Sequence, residues 1–220
     1  MLGLIALVTV IVCAPSVARA DDDPSNTRLV LTGLAMAPPT YLLGVIAHEG
    51  SHALTAKMFG FEVSRFQILP GRHPRTGVFY FGYTQIKGRI AGGRKSWFLM
   101  APKITDALML GGYALAVGTD TLPDNEYGQL ALAVLATGFW VDFSKDILSF
   151  RDTNDTVRVY DNHGLHSEWE RLPFRLLHLG LSVGAAYYIV KGYDNFLGDE
   201  DDAEMTTARA VVLPVWQSSF

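Results

Sequence analysis

The chain has 220 residues, 49% of them hydrophobic and 18% charged, with a formal net charge of -4. An ordinary soluble domain carries roughly 25% charged residues, so the deficit points toward lipid. The acidic balance excludes a global basic field for nucleic acid, and a single cysteine, Cys13, excludes both an intrachain disulfide framework and a zinc ribbon built on cysteines.

Residues 1–20 are apolar and end in Ala18-Arg19-Ala20, followed by Asp21-Asp22-Asp23-Pro24. This pattern fits a signal peptide with a small-x-small cleavage site, or an uncleaved first membrane span, since no Lys or Arg precedes the apolar run. A second apolar stretch runs from Leu29 to Phe59, with Pro38-Pro39 predicting a kink or a late helix start. About 20 apolar residues cross a bilayer, so this stretch has length to spare. Residues 61–90 change character: alternating apolar positions such as Phe61, Val63, Phe66 and Ile68 are broken by Pro70-Gly71, Gly82 and Gly88, which predicts short strands or hairpins against the membrane face.

Three further stretches, Trp97 to Val117, Tyr127 to Phe150 and Leu172 to Val190, are each long enough to span. They are joined by the acidic loop Thr119 to Glu126 and the polar connection Arg151 to Arg171; residues 199–220 form an acidic tail that turns apolar at Val211. Between the second and third stretches lie Arg65, Arg72, Arg75, Lys87, Arg89, Arg94 and Lys95 against Glu62 alone. Positive residues are retained on the cytoplasmic side, so this loop is assigned inside and the acidic segments outside. The expected fold is a mainly α polytopic membrane helix bundle of about four spans after an N-terminal signal. Residues 21–198 form its membrane domain, with a small β-rich insertion at 61–90.

The chemistry concentrates at His48-Glu49-Gly50-Ser51-His52, a His-Glu-x-x-His pattern near the end of the second stretch. Residues four apart share a helix face, so both imidazoles can hold one zinc ion, Zn2+, at about 2.0 to 2.1 Å, leaving Glu49 beside the open coordination position as general base. Ionisable groups at the end of an apolar span are costly in lipid unless paired or metal-bound, which favours a site over an ordinary polar helix face.

The segment Ile46-Ala47-His48-Glu49-Gly50-Ser51-His52-Ala53-Leu54, continuing through Gly60 to an alternating strand ending at Ile68, resembles the start of the site-2 protease family of intramembrane zinc metalloproteases. The resemblance implies zinc, hydrolysis of peptide bonds within or beside the membrane, and a third ligand, an Asp on a later span. The Asn-Pro and Asp-Gly signature that the family carries around that Asp is absent, so its place is read from the order of the spans. Asp142 is favoured as the deepest acid on the designated span, with Asp146 one turn on and Asp106 as alternatives; Asp146 can instead pair with Lys145, and Asp106 with Lys103 three residues earlier.

Among the other histidines, His163 and His166 fall in a solvated connection, His73 in a loop, and His178 where a helix-to-helix hydrogen bond accounts for it. The strands of 61–90 can take an extended peptide by edge addition or simply cap the membrane face. The reading is therefore a zinc-dependent membrane endopeptidase in a bacterial inner (plasma) membrane. Its partners are the lipid bilayer and membrane protein or peptide substrates, with no nucleic acid. The alternatives are a non-proteolytic membrane metal-binding or assembly protein that keeps the motif, and a secreted soluble zincin with buried apolar helices.

Overall fold

The computed structural model describes residues 24–72, 77 and 79–197. The expected signal or first span at 1–20, with Cys13, the tail at 199–220 and His73 lie outside the described residues. The fold is mainly helical with little strand, in the order α1 (Asn26–Met58), β1 (Val63–Gln67), β2 (Gly71–Arg72), β3 (Phe79–Tyr80), β4 (Tyr83–Ile86), α2 (Gly93–Gly118), α3 (Glu126–Ser144), α4 (Asp155–Asn162) and α5 (Glu168–Leu197).

At 1.5 Å per residue the four long helices measure about 50, 39, 28 and 45 Å, comparable with or longer than the roughly 30 Å hydrocarbon layer. Among those described, only α1 is by length and composition apolar enough to cross a membrane. α2 carries Lys103 and Asp106 in its interior, and α3 carries Asp142 in its last turn, so these helices mix apolar and charged residues.

α1 starts at Asn26 and runs through Pro38 and Pro39, so the late start expected from the prolines is not adopted. It ends at Met58, and beyond the Phe59 cap Gly60, whose φ of 80° is a left-handed conformation suited to glycine, lets the Phe61 amide turn back to the Ala56 carbonyl at 2.9 Å. α3 begins at the Asn125 cap, whose side chain accepts the Gly128 amide proton, and ends at Ser144, six residues short of the apolar stretch. The chain turns there because the Ile147 and Ser149 carbonyls are taken by the Arg175 guanidinium of α5. The polar connection after Phe150 contains a helix the sequence reading omitted, α4, opened by the Asn154 side chain accepting amide protons from Thr156 and Val157.

α2 and α3 pack on one another, and each also contacts α1 and α5. Their shared core holds Leu29, Leu110, Tyr113, Leu130, Phe139 and Ile189, toward the start of α1 and the end of α2. The opposite half of the bundle buries polar groups instead: Glu49, His52, Lys103, Asp106, Asp146 and Arg175. Outward, α5 exposes Leu172, Leu176, Leu177, Leu181, Val183 and Val190. Buried charges in one half and exposed leucines along α5 are the opposite of the usual soluble pattern.

The insertion forms two two-stranded antiparallel sheets, β1 with β4 and β2 with β3; the first has a register shift between Val63 and Arg65. It is anchored on α1, where the Thr84 hydroxyl donates to the Glu49 carbonyl at 2.9 Å. Gly82 makes this contact possible, because a Cβ there would stand 2.7 Å from Val45 Cγ1, 2.9 Å from Glu49 Cγ and 3.0 Å from the Gln67 carbonyl. The hairpin backbone thus lies directly against the side chain of the candidate base.

Candidate metal centre

His48 and His52, one turn apart on α1, have ring centroids 5.3 Å apart. Each ring has its Nδ1 committed to an oxygen. His48 Nδ1–H donates to Asp142 Oδ2 at 2.9 Å, and His52 Nδ1–H donates to the Phe98 carbonyl of α2 at 2.8 Å. A carbonyl can only accept, which makes Nδ1 of His52 the protonated nitrogen, and a carboxylate imposes the same tautomer on His48. The Nε2 atoms therefore carry the lone pairs of the neutral rings.

Both Nε2 atoms face Asp155, whose Oδ2 lies 3.0 Å from His52 Nε2 and 3.9 Å from His48 Nε2. Asp155 is the first residue of α4, held by the Asn154 cap, and its other oxygen, Oδ1, accepts from Arg158 at 3.3 Å. Burial raises its carboxyl, but the His52 bond, the charges that His52 and His48 carry when protonated, and Arg158 hold it below the usual carboxylate range. An ionised carboxylate this close to an imidazole lone pair requires a cation between them, either a proton that makes His52 an imidazolium or a metal ion. One donor atom from each of His48, His52 and Asp155 lies within 4.8 Å of the other two. A tetrahedral ion with bonds of about 2.0 to 2.1 Å sets its ligand atoms about 3.3 Å apart, between the two distances to Asp155. Two nitrogens, one carboxylate oxygen and an outer acceptor on each imidazole are the donor set that a zinc site with an open position uses. The residues fit the ion.

The three aspartates weighed from the sequence gather behind this cluster. Asp142 touches His48 on the Nδ1 side, away from the Nε2 atoms, and pairs with Lys145. Asp146 is buried and accepts from Asn154 Nδ2 at 2.7 Å and from the Thr156 hydroxyl at 3.3 Å. Asp106 is buried 3.5 Å from Lys103, its i−3 neighbour. Asp155 was not among the candidates, although a capping Asn directly before an Asp, followed by Val157 and Tyr160 at helical spacing, marks a helix start.

The other described histidines make polar contacts away from this cluster. His163 Nε2 meets the Ser96 hydroxyl at 2.9 Å, tying the end of α4 to α2, and His178 Nε2–H donates to the Phe143 carbonyl at 2.9 Å, the helix-to-helix bond expected. Exposed His166 lies 3.6 Å from Asp161. Glu49 is 8% exposed, buried beneath the hairpin and next in sequence to His48.

Fold and site together define a mainly helical protein in which a His-Glu-x-x-His helix and the first residue of α4 form a two-histidine, one-carboxylate cluster able to hold a metal ion. The chain belongs to the Peptidase M50B-like family, whose sequence profile matches residues 3–141, as the resemblance to site-2 proteases implied. That match covers His48, Glu49 and His52 and stops before Asp142 and Asp155. No curated protein and no solved structure is significantly similar to the chain.

Replacing the two acids separates their roles by metal content. Asp155→Ala is expected to lose stoichiometric zinc, and Asp142→Asn to weaken binding about 10- to 100-fold, the usual cost of removing an outer acceptor. Full zinc retention in Asp155→Ala, measured by elemental analysis of detergent-purified protein, would contradict this placement.

Proposed function

We propose that the protein is a zinc-dependent membrane endopeptidase. In this reading His48, His52 and Asp155 hold the metal, Glu49 is the general base, and Asp142 orients His48 rather than ligating. The carrying observation is the pair of imidazoles with both Nδ1 atoms bonded to oxygen and both Nε2 atoms turned on one carboxylate. Family membership supplies the class, a metalloprotease of membranes.

When bound, zinc supplies Lewis-acid polarisation of the scissile carbonyl and makes water nucleophilic near neutral pH. Glu49 takes the proton from the attacking water and passes it to the departing amide nitrogen, so that one carboxylate serves as base and then acid. Asp142 and the Phe98 carbonyl keep the imidazoles in one tautomer throughout. β1 and β4, each paired on one side among the described residues, offer edges to which an unwound substrate segment can add, close to Glu49.

α1, α2, α3 and α5 are read as four membrane spans, with the insertion and α4 on the inner face of a bacterial inner membrane. The apolar outer surface of α5 and the buried charges opposite it support this over a soluble zincin. Membrane pellets washed with carbonate are expected to retain the protein; its release to the supernatant would exclude the spanning arrangement.

Glu49→Gln in purified protein is expected to keep one zinc per chain and to lose about 10²- to 10⁴-fold in cleavage of a transmembrane reporter, the usual contribution of a general base. Cleavage at the native rate by this variant would overturn the role of Glu49. A native protein that binds zinc yet cleaves no reporter would instead favour the non-proteolytic metal-binding reading.

A further inference from the structure

Lys103 of α2 has a side chain only 4% exposed, and an unpaired ammonium at such a depth is strongly disfavoured. Its Nζ is met by three carboxylates: Asp146 Oδ2 at 3.1 Å, Asp142 Oδ2 at 3.3 Å and Asp106 Oδ2 at 3.5 Å. It also donates to the Asp142 backbone carbonyl.

Two of these acids lead to the metal cluster along separate arms. Asp142 Oδ2, the carboxylate oxygen paired with Lys103, is the same oxygen that accepts His48 Nδ1–H. Asp146 reaches the other side: its Oδ1 accepts from Asn154, and Asn154 caps the helix whose first residue, Asp155, faces His52 Nε2. Its Oδ2, facing Lys103, also accepts from Thr156 of that helix. The third acid, Asp106, sits one turn from Lys103 on the same helix and lies against Asp142, with no contact to the α4 arm among the described residues. Among the described residues, Lys103 is therefore the one cation ion-paired within 4.0 Å with both the acid behind His48 and the acid behind α4, Lys145 pairing with Asp142 alone.

Without its charge, Asp142 and Asp146 would be like-charged neighbours in a low-dielectric interior, with a reason to separate. We propose that Lys103 is a positioning residue of the metal centre, a buried ammonium that fixes Asp142 behind His48 and Asp146 behind the Asn154-capped helix bearing Asp155. The proposal rests on the metal-site reading above. It adds that the geometry of two ligands on different helices is set by one side chain that touches neither.

Cobalt(II) binding to the detergent-purified full chain tests this through affinity and the visible bands of the bound ion. Native protein is expected to bind one Co2+ and His48→Ala to lose it; failure at this step removes the metal-site reading itself. Given native binding, Lys103→Met is expected to weaken Co2+ about 10- to 100-fold and to shift the visible bands, as loss of outer-shell support does. A lysine with a merely structural role would lower the thermal midpoint while leaving Co2+ affinity and bands at native values, and that result would overturn the proposal. Should Lys103→Met fail to fold, Asp146→Asn retains the lysine and breaks only the arm to α4. It is expected to shift the bands although Asp146 touches neither histidine, and native bands and affinity in this variant would equally overturn the proposal.

Discussion

Two imidazoles one helical turn apart in an apolar interior can be kept only if each of their four nitrogens has a use. Here two are spent on oxygens, Asp142 and the Phe98 carbonyl, and two are aimed at Asp155. The first pair of bonds settles the tautomer, and the tautomer leaves the Nε2 lone pairs for a cation. The rest of the site follows from bringing those oxygens to α1: α2 supplies the Phe98 carbonyl, α3 supplies Asp142, and a short capped helix supplies Asp155.

This demand shapes the bundle. One half is a conventional apolar core around Leu110, Leu130 and Phe139, which holds α1, α2, α3 and α5 together; the other half contains nearly all the buried charge. The two halves depend on one another, since a preorganised polar cluster needs rigid walls to keep its geometry. The hairpin insertion adds a wall of a different kind. Gly82 lets its backbone press on Val45 and Glu49, so the Glu49 side chain is confined by sheet on one side and helix on the other.

Much of this was legible in the sequence. The four apolar stretches foretold the long helices to within a few residues at most ends, and the Gly- and Pro-punctuated alternation of 61–90 foretold strands. His48, Glu49 and His52 were readable because a helical repeat alone sets their relation. Asp142 was readable as an acid at the right depth, but which histidine nitrogen it meets depends on the rotation of α3 about its axis, which no local pattern encodes. Asp155 was hidden for another reason: it lies in a polar connection where acids are ordinary, and its approach to His52 arises only because Asn154 starts a helix and Asp146 ties that start to the bundle. Lys103 read as a simple partner of Asp106, since its other two contacts come from α3 and the turn after it.

The proposed metal centre requires the ion to lie between the two Nε2 atoms and Asp155. Anomalous diffraction at the zinc absorption edge from crystals of the metal-loaded protein tests this most directly. A single strong peak is expected within bonding distance of His48 Nε2, His52 Nε2 and Asp155 Oδ2. A peak among Asp106, Asp142 and Asp146, or none near α1, would contradict it.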